Sequence, residues 1–552
     1  MKGNMQVEGK NTRKSLYNKI SGFLSVKLMF LTGTGVFVLL LLPLCYLSFV
    51  NRASGDDYGY GVFTRAAWVS SHSLIQVFKA SIQTIQSLYY SWQGTWFSIF
   101  VFSLQPEVFS SHAYVITAFL MLFLLVGSSA LLFKCVLVKK LGFDKWSCYF
   151  IVLMYLMLTI EFVPGIKSAF FWYNGTVHYM LPFAMCQLLA VLLMKYIETY
   201  KVKYFIGITI LMTLLGGSNY QASLFALIAA FYAGVSVFLP EAGIKIKRDG
   251  IRAQEKVIGK KEYRVFLLVV PVILEMAGLV VSMKAPGNNV RAGGNFGFSV
   301  SDGFVTVGIS FLQGILDIVG YYKEKPVIFI GLLILFLIML EALGSMDGEK
   351  HIKHPVLSCI ALYCLYSAMQ APAIYAGVEV SLGVYNMNYQ VFLLMMIEIL
   401  MALADKGAGI IKKRRKLKAL EGKAQGKILT DGAWIHKTIV LPGLLICAVL
   451  LFVCRSNIKQ STSYICFQYI ASGQAADFKE QMDLQTSLLL DENVSDVVVP
   501  FINDEQGPLM HMPVTEDKNA WTNTVTSNFY VKKSVTAMPR DEWLKIYGKE
   551  EE

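Results

Sequence analysis

Run after run of uncharged, apolar residues sets the terms for any fold this chain can adopt. A helix that crosses a bilayer needs about 20 predominantly apolar residues, because the hydrocarbon core is about 30 Å thick and each helical residue rises about 1.5 Å. Leu28 to Val50 meets that requirement without a single charge. Taken in order, the apolar runs predict eleven spans, near 28–50, 113–133, 146–163, 178–194, 204–216, 219–239, 265–283, 326–343, 355–372, 388–404 and 438–454. Tyr204 to Leu239 is too long for one span. Gly216, Gly217, Ser218 and Asn219 form a turn signal at its middle, so the chain crosses and returns there. With 55% hydrophobic and only 16% charged residues, against about 25% charged in a soluble domain, the surplus apolar surface needs lipid around it. The expectation is an all-α polytopic membrane protein.

Charge sets the threading. Lys2, Lys10, Arg13, Lys14, Lys19 and Lys27 precede the first run. That run is too long for a secretory signal peptide and no small-residue cleavage site follows, so residues 1–27 read as a basic cytoplasmic N-terminus before an uncleaved first span. With eleven spans, the basic segments around Lys139 and Lys140, Lys201 and Lys203, Lys245 to Arg264, and Lys406 to Lys437 all face the cytoplasm, as the positive-inside rule expects. Gly303 to Gly320 is apolar enough to suggest a twelfth span, yet it holds Gln313 and Asp317 and is bounded by Asp302. Were it to span, the cluster from Lys412 to Lys418 would lie outside. It is therefore expected to lie along the outer surface. The net charge of +12 sits mostly in short segments between apolar runs, where it meets anionic lipid headgroups, not nucleic acid.

A transmembrane domain over 28–454 follows, with outer loops 51–112, 161–177, 284–325 and 373–387, then an extracytoplasmic C-terminal domain over 455–552. In the first loop Ile75, Phe78, Ile82, Ile85 and Tyr89 recur at helical spacing, as in a helix resting on the membrane interface. Trp96 to Leu104 is too short to span and is expected to be re-entrant or packed on the bundle. In the tail Ala475 to Leu490 reads as helix and Val497 to Phe501 as strand, giving a small α+β unit. Eight of the nine cysteines lie in or beside apolar runs, and no pair has metal-ligand spacing.

The chemistry-bearing residues gather on the outer face. Asp56 and Asp57 directly follow the first span. Adjacent buried carboxylates raise one another's pKa, and a carboxylate so poised can act as a general base, although an ordinary polar span end has the same composition. Tyr89, Trp92, Trp172, Tyr173 and Tyr179 present rings that stack on a sugar face or seat at the lipid interface, and His178 lies among them. Lys284-Ala285-Pro286-Gly287-Asn288 turns tightly outside the seventh span and presents Asn288 and Arg291. The guanidinium fork of Arg291 suits phosphate oxygens as well as it suits lipid headgroups. Glu275 lies within the seventh span, where a charge is costly and often functional. Gln370, Pro372, Tyr375 and Glu379 mark the last outer loop.

Together, Asp56-Asp57-Tyr58, Trp92 with Gly94, Trp172-Tyr173 before Tyr179 and Pro182, Ala285-Pro286-Gly287-Asn288 with Arg291, and Trp521, Asn523 and Tyr530 in the tail resemble the GT-C superfamily of membrane glycosyltransferases. The resemblance is nearest to bacterial members of unassigned function related to the O-antigen glucosyltransferases, and it covers nearly the whole chain. It implies transfer of a sugar, with inversion, from a polyprenyl-phosphate donor to a cell-envelope glycan acceptor outside the cytoplasm. Asp57 would be the base, with Asp56 the other candidate, and Arg291, aided by Lys284, would grip the donor phosphate. Asn288, the aromatic residues, His178 and Tyr375 would line the substrate site. Thr95 departs from the pattern, since an arginine is expected after Gly94, so Arg65 becomes a further candidate cation. Some members of the superfamily use a divalent cation and others do not, and the acids here fit both. Two alternatives stand beside this one. A transporter or flippase would make use of Glu275 and the many spans, although paired repeats and interrupted helices are not evident. A polysaccharide ligase or polymerase would share the lipid-linked chemistry, with Trp521, Tyr530 and Trp543 offering stacking surfaces.

Overall fold

The computed structural model describes residues 25–238, 262–293, 299–348, 352, 355–377, 381–420, 430–503 and 506–548. The basic residues before Ser25, Lys245 and its neighbours up to 261, and Glu379 lie outside the described residues. Every one of the eleven predicted runs is helical. Among the described residues nine helices are long and apolar enough to cross a membrane. Eight of them are predicted spans, from Val26–Val50 to Asp431–Val453, and the ninth is Val300–Glu324. Lys145–Glu161 and Val202–Leu215 are shorter, at 17 and 14 residues. The run near 388–404 belongs to a 39-residue helix, Leu382–Leu420, that continues straight into the basic cluster.

One large core holds the bundle together, built from residues such as Tyr155, Phe170, Phe183, Leu335, Tyr389 and Phe392. Polar side chains at helix ends fix how the helices meet. Asn386 exchanges two hydrogen bonds with the backbone of Gly165, at 2.7 and 2.9 Å. At the opposite end, Lys412 donates to the carbonyls of Leu343, Met346 and Gly348. It thereby satisfies the unpaired C-terminus of Val327–Ser345, where a cation also meets the negative end of the helix dipole.

Val300–Glu324 is long enough to cross, yet its two ends are tied to one end of the bundle. The Ser299 N–H donates to the Tyr375 hydroxyl at 2.7 Å, just past the helix Pro355–Ala368. At its other end Lys325 donates to the Phe162 carbonyl and Glu324 accepts from Asn457. Phe162 is close to Gly165 and so to Asn386, and the neighbouring Asn388 bonds Gln370 at 2.6 Å. In between, Gln370 donates to Asp317 at 2.9 Å, which seats the helix on the bundle by its polar face.

The helix Leu74–Ser91 matches the predicted amphipathic stretch, but it turns its small residues inward. Val77, Ala80, Ser81 and Thr84 are buried while Ile75 and Phe78 stay uncovered. Trp96–Phe102 is packed on the bundle, with the N–H groups of Phe97 and Ser98 both reaching the Gly217 carbonyl.

The C-terminal part is a small α+β unit. Strands Asp496–Pro500 and Ser534–Met538 pair in parallel, Val497 opposite Val535 and Val499 opposite Ala537. Parallel strands require a crossover, and the helix Trp521–Tyr530 supplies it. The unit grips the segment that follows the first span. Arg52 pairs with Asp483 at 2.7 Å, Ser54 accepts from the Met512 N–H at 3.0 Å, and the rings of Tyr58 and Phe529 lie 4.7 Å apart. A cavity of only about 10 Å³ remains between Ser54, Tyr58, His511 and Met512. Within the unit, the fully buried Asn523 amide donates to the carbonyls of Thr515 and Val535, and its oxygen accepts from the Thr515 N–H at 2.8 Å. Asn523→Ala removes all three bonds; the Thr515 carbonyl keeps the Ala537 N–H, while the buried Val535 carbonyl loses this donor, a loss of about 1–3 kcal/mol. The expected result is protease cleavage within 496–538 under conditions that leave the parent chain intact, read on an immunoblot of the tail.

Candidate functional site

The site is built on the short helix Asp56–Ser71, which starts as the chain leaves the first long helix. Gly55 precedes it at φ +47°, a left-handed conformation that costs a side-chain-bearing residue about 1–2 kcal/mol. A Cβ there would also meet the Met512 sulfur at 2.4 Å. The turn directs Asp57 into the protein, where it is 1% exposed. Its carboxylate accepts the Tyr114 hydroxyl at 2.6 Å and, more loosely, the N–H groups of Ser54 and Asn174 at 3.4 Å. Asn174 is in reach because the chain around it winds through π-helical turns at Lys167–Phe171 and Thr176–Met180, broken by an extended Trp172. Such turns often mark functional sites.

One residue earlier, Asp56 is only partly buried and faces a different way, as the roughly 100° rotation per helical residue requires. The Arg291 guanidinium lies within its Coulombic reach. Burial raises Asp56 to about 6, with the Arg291 guanidinium pulling against the rise. Burial likewise raises Asp57 to about 7; the Tyr114 hydrogen bond lowers it and the Asp56 charge adds to it.

Arg291 is held by the loop that follows the helix Leu74–Ser91. Its Nη1 donates to Gln93 Oε1 at 2.6 Å, and its guanidinium lies 5.4 Å from the centre of the Trp92 ring. Tyr60, one turn beyond Asp56, also lies within Coulombic reach of Arg291, as do His178, Tyr179 and Tyr220. His178 Nδ1 is 2.8 Å from the Ser98 hydroxyl. The two loops carrying Trp92 and Arg291 dock backbone to backbone. A Cβ on Gly94 would sit 2.0 Å from the Ser282 carbonyl oxygen, and one on Gly287 would sit 2.4 Å from the Trp92 nitrogen.

Of the sequence candidates, Asp56, Arg291, Trp92, His178 and Tyr179 come together, with Asp57 directly behind. The others serve elsewhere. Asn288, expected to meet substrate, is a loop staple: its oxygen accepts the Gly94 N–H at 3.1 Å and its amide donates to the carbonyls of Ser282 and Met283. Arg65, expected as a phosphate cation, points to the C-terminal unit, bonding the Val108 carbonyl at 3.1 Å and lying 5.7 Å from the Phe529 ring. Tyr173 is a buried strut between the Tyr114 hydroxyl and the Val101 carbonyl. Trp172 is half-buried against Gly175. Tyr89 stands edge-on to Tyr90, Tyr375 bonds the Ser299 N–H, and Lys284 is exposed. Trp543 is buried and donates to the Val498 carbonyl. Tyr530 packs on Tyr58, so Trp521, at 52% exposure, is the one proposed stacking residue of the tail left open. Among the described residues no three His, Cys, Asp or Glu side chains converge so as to hold a metal ion. Glu275 is fully buried and accepts from the Ser223 hydroxyl at 3.3 Å.

Sequence reading passed over Glu107. It is buried behind Asp57, accepts the Ala53 N–H at 3.3 Å, and lies near Arg52 and Arg65. No family, curated protein or solved structure matches this chain.

Burial raises Glu107 to about 8, and the Ala53 N–H and the two arginines offset only part of it. Glu107, Asp57 and Asp56 therefore hold protons more tightly folded than unfolded. Their contribution to stability is complete below about pH 4 and is lost as pH rises through about 6 to 8. Glu107→Gln keeps an acceptor for Ala53 but cannot ionise. The melting temperature in detergent should fall between about pH 5 and pH 9 in the parent chain and fall less in this variant. Equal slopes would show that Glu107 is ionised throughout.

Proposed function

We propose that this chain is a membrane glycosyltransferase that moves a sugar from a polyprenyl-phosphate donor to a cell-envelope glycan outside the cytoplasm. The observation that carries the proposal is that Asp56, at the start of its helix, and Arg291, on the loop that interlocks with the Trp92 loop at Gly94 and Gly287, lie within Coulombic reach of one another. A carboxylate and a guanidinium at one opening suit a reaction in which a hydroxyl loses a proton while negative charge grows on a phosphate oxygen.

The threading that serves this chemistry has eleven crossings. The N-terminus would be cytoplasmic, Val300–Glu324 would lie along the outer surface, and the C-terminal unit would be extracytoplasmic. Two findings support it. Both ends of Val300–Glu324 are tied to one end of the bundle, and the C-terminal unit packs on the segment after the first span. The uncovered apolar stripe of Leu74–Ser91 would then rest on the outer membrane interface.

In the reaction, the acceptor hydroxyl gives its proton to Asp56 as its oxygen attacks the anomeric carbon. The bond from that carbon to the donor phosphate oxygen breaks on the opposite face, with inversion, and the departing phosphate takes the electron pair against Arg291. Asp56 is assigned the base role instead of Asp57 because an acceptor can reach it; Asp57 is wrapped in bonds from the protein and sets the start of the helix. A pKa raised to about 6 leaves Asp56 largely ionised yet still basic near neutrality. Trp92, His178 and Tyr179 are placed to border the sugar.

Asp56→Asn should lower transfer from a panel of polyprenyl-phosphate sugars by about 10²- to 10⁴-fold without lowering the melting temperature. In the parent chain, activity should fall as pH drops through about 6. Asp57→Asn should lose stability and activity together. Full transfer by Asp56→Asn would end the assignment, and substrate flux in proteoliposomes without a glycosyl product would favour a transporter.

A further inference from the structure

Residues 506–515 of the tail lie over the turn that aims the two acids. Pro508 and Pro513 lack N–H groups, so neither can join a helix or a strand ladder, and the stretch takes no regular form. It is anchored at both ends. Gly507, at φ +53°, lies against the Tyr469 ring, and Thr515 is bonded to Asn523 and Ala537. Between these anchors, among the described residues, one hydrogen bond leaves the stretch, from the Met512 N–H to the Ser54 hydroxyl at 3.0 Å.

Next to Met512, His511 is 8% exposed, and its ring stands edge-on to Phe478 at 5.8 Å. Both ring nitrogens are buried without a hydrogen-bond partner, beside the small cavity that Ser54, Tyr58, Gln485, Thr486 and Thr526 share with it. A proton there would place a charge where nothing answers it. No residue of 506–515 is charged. On Gln474–Leu490 the charged groups are Asp477, which bonds Asn503 and pairs with Arg540, Glu480, also near Arg540, and Asp483, which pairs with Lys479 and Arg52. On Asp56–Ser71, Tyr58 faces the cavity with its hydroxyl on Tyr530, and Asp57 and Glu107 lie behind it. Trp521–Tyr530 contributes only Thr526. None of these charges comes within Coulombic reach of the imidazole, which burial alone holds down to about 4. Asp504 and Glu505 lie outside the described residues.

We propose that 506–515 is an acid-released clasp: a proton taken up by His511 lifts the stretch from the Gly55 turn and loosens the start of the helix that carries Asp56 and Asp57. Docked, the ring binds its proton only near pH 4; lifted into water, it binds at its ordinary 6.5. The clasp is therefore fully closed above about pH 6.5 and weakens as pH falls toward 4, by about 30-fold at pH 5. Asp57 and Glu107, raised by burial, favour the closed state in acid so far as lifting exposes them. A variant that differs only at position 511 keeps their contribution and loses that of the imidazole. The clasp gates the acids whatever reaction they serve.

The test is hydrogen exchange of the full chain in detergent, read by mass spectrometry on peptides covering 509–514 at about pH 5 and about pH 7.5 and corrected for intrinsic exchange rates. In the parent chain, opening of the stretch should be about 30-fold greater at the lower pH. In His511→Phe, whose ring takes no proton, it should change by less than about threefold. His511→Gln should behave as His511→Phe does and serves in its place if the ring exchange fails to fold, which a thermal melt at the higher pH checks. Ser54→Ala removes the bond to Met512 and should raise opening by about 2- to 10-fold at both pH values. The same acid dependence in the parent chain and the position-511 variants, no acid dependence in the parent chain, or unchanged opening in Ser54→Ala would each overturn the proposal.

Discussion

Placing Asp57 where water cannot reach it is the constraint on which this end of the molecule turns. A carboxyl group stripped of water must find donors within the protein, and those it finds come from three stretches of chain. Ser54 lies just after the first long helix, Tyr114 at the start of the second, and Asn174 in the irregular turns before the fourth. The same tyrosine hydroxyl accepts the Tyr173 N–H at 2.9 Å, so one phenol joins the acid to the π-helical turns around Trp172. Once Asp57 is fixed, helical geometry leaves Asp56 little choice of direction. It points to the open side, where the loop of Arg291 arrives. The division of labour between the two acids thus follows from helical phase and solvent access, with no difference in residue type.

What could be read from sequence and what could not divide along the range of the interactions. The apolar runs became helices because their cause is local: each run shields its own backbone bonds and needs only lipid or neighbours around it. The turn at Gly216 to Asn219 and the valine-rich strand at 497–499 are local in the same sense, and both appear. The bonds of Asn288 could not be read from the sequence because nothing near it reveals that Gly94, nearly two hundred positions earlier, offers it an N–H. The same holds for Arg65, whose partners are Val108 and Phe529. Glu107 gave no signal at all, since a single acid in an apolar context reads as an ordinary loop residue until Ala53, Arg52 and Asp57 are found around it. The π-helical turns around Trp172 left no mark either, because the residues there are compatible with a regular helix.

Val300–Glu324 shows how composition and contact carry different information. Its apolarity qualifies it as a span, whereas Asp317 and Gln313 interrupt its polar face at helical spacing and find Gln370 across the contact. An acid in mid-helix would be costly against lipid, but it becomes tolerable where a helix lies against a bundle with an amide waiting. From there the polar contacts continue inward through Asn388 to Gln221, next to Tyr220 and so to the surroundings of Arg291. The segment that would otherwise blur the count of crossings is thus joined by hydrogen bonds to Gln221, the residue after Tyr220.

The C-terminal unit belongs to the site as a wall of it. Gly55 can take its left-handed conformation with Met512 closed over it only because no side chain intervenes. On the Asp56–Ser71 helix, Gly59 and Gly61 let Val525 and Phe529 approach the backbone. A freely tethered module would not require three glycines on its partner or the Arg52–Asp483 pair, whose arginine is buried. If the unit were displaced, Tyr58 and Ala53 would lose their cover, and the Arg65 guanidinium would lose the Phe529 ring. The turn that aims Asp56 and Asp57 would then be held from the membrane side alone. The orientation of the two acids therefore depends on a domain that begins some four hundred residues later in the chain, so that the site is complete only with the tail docked.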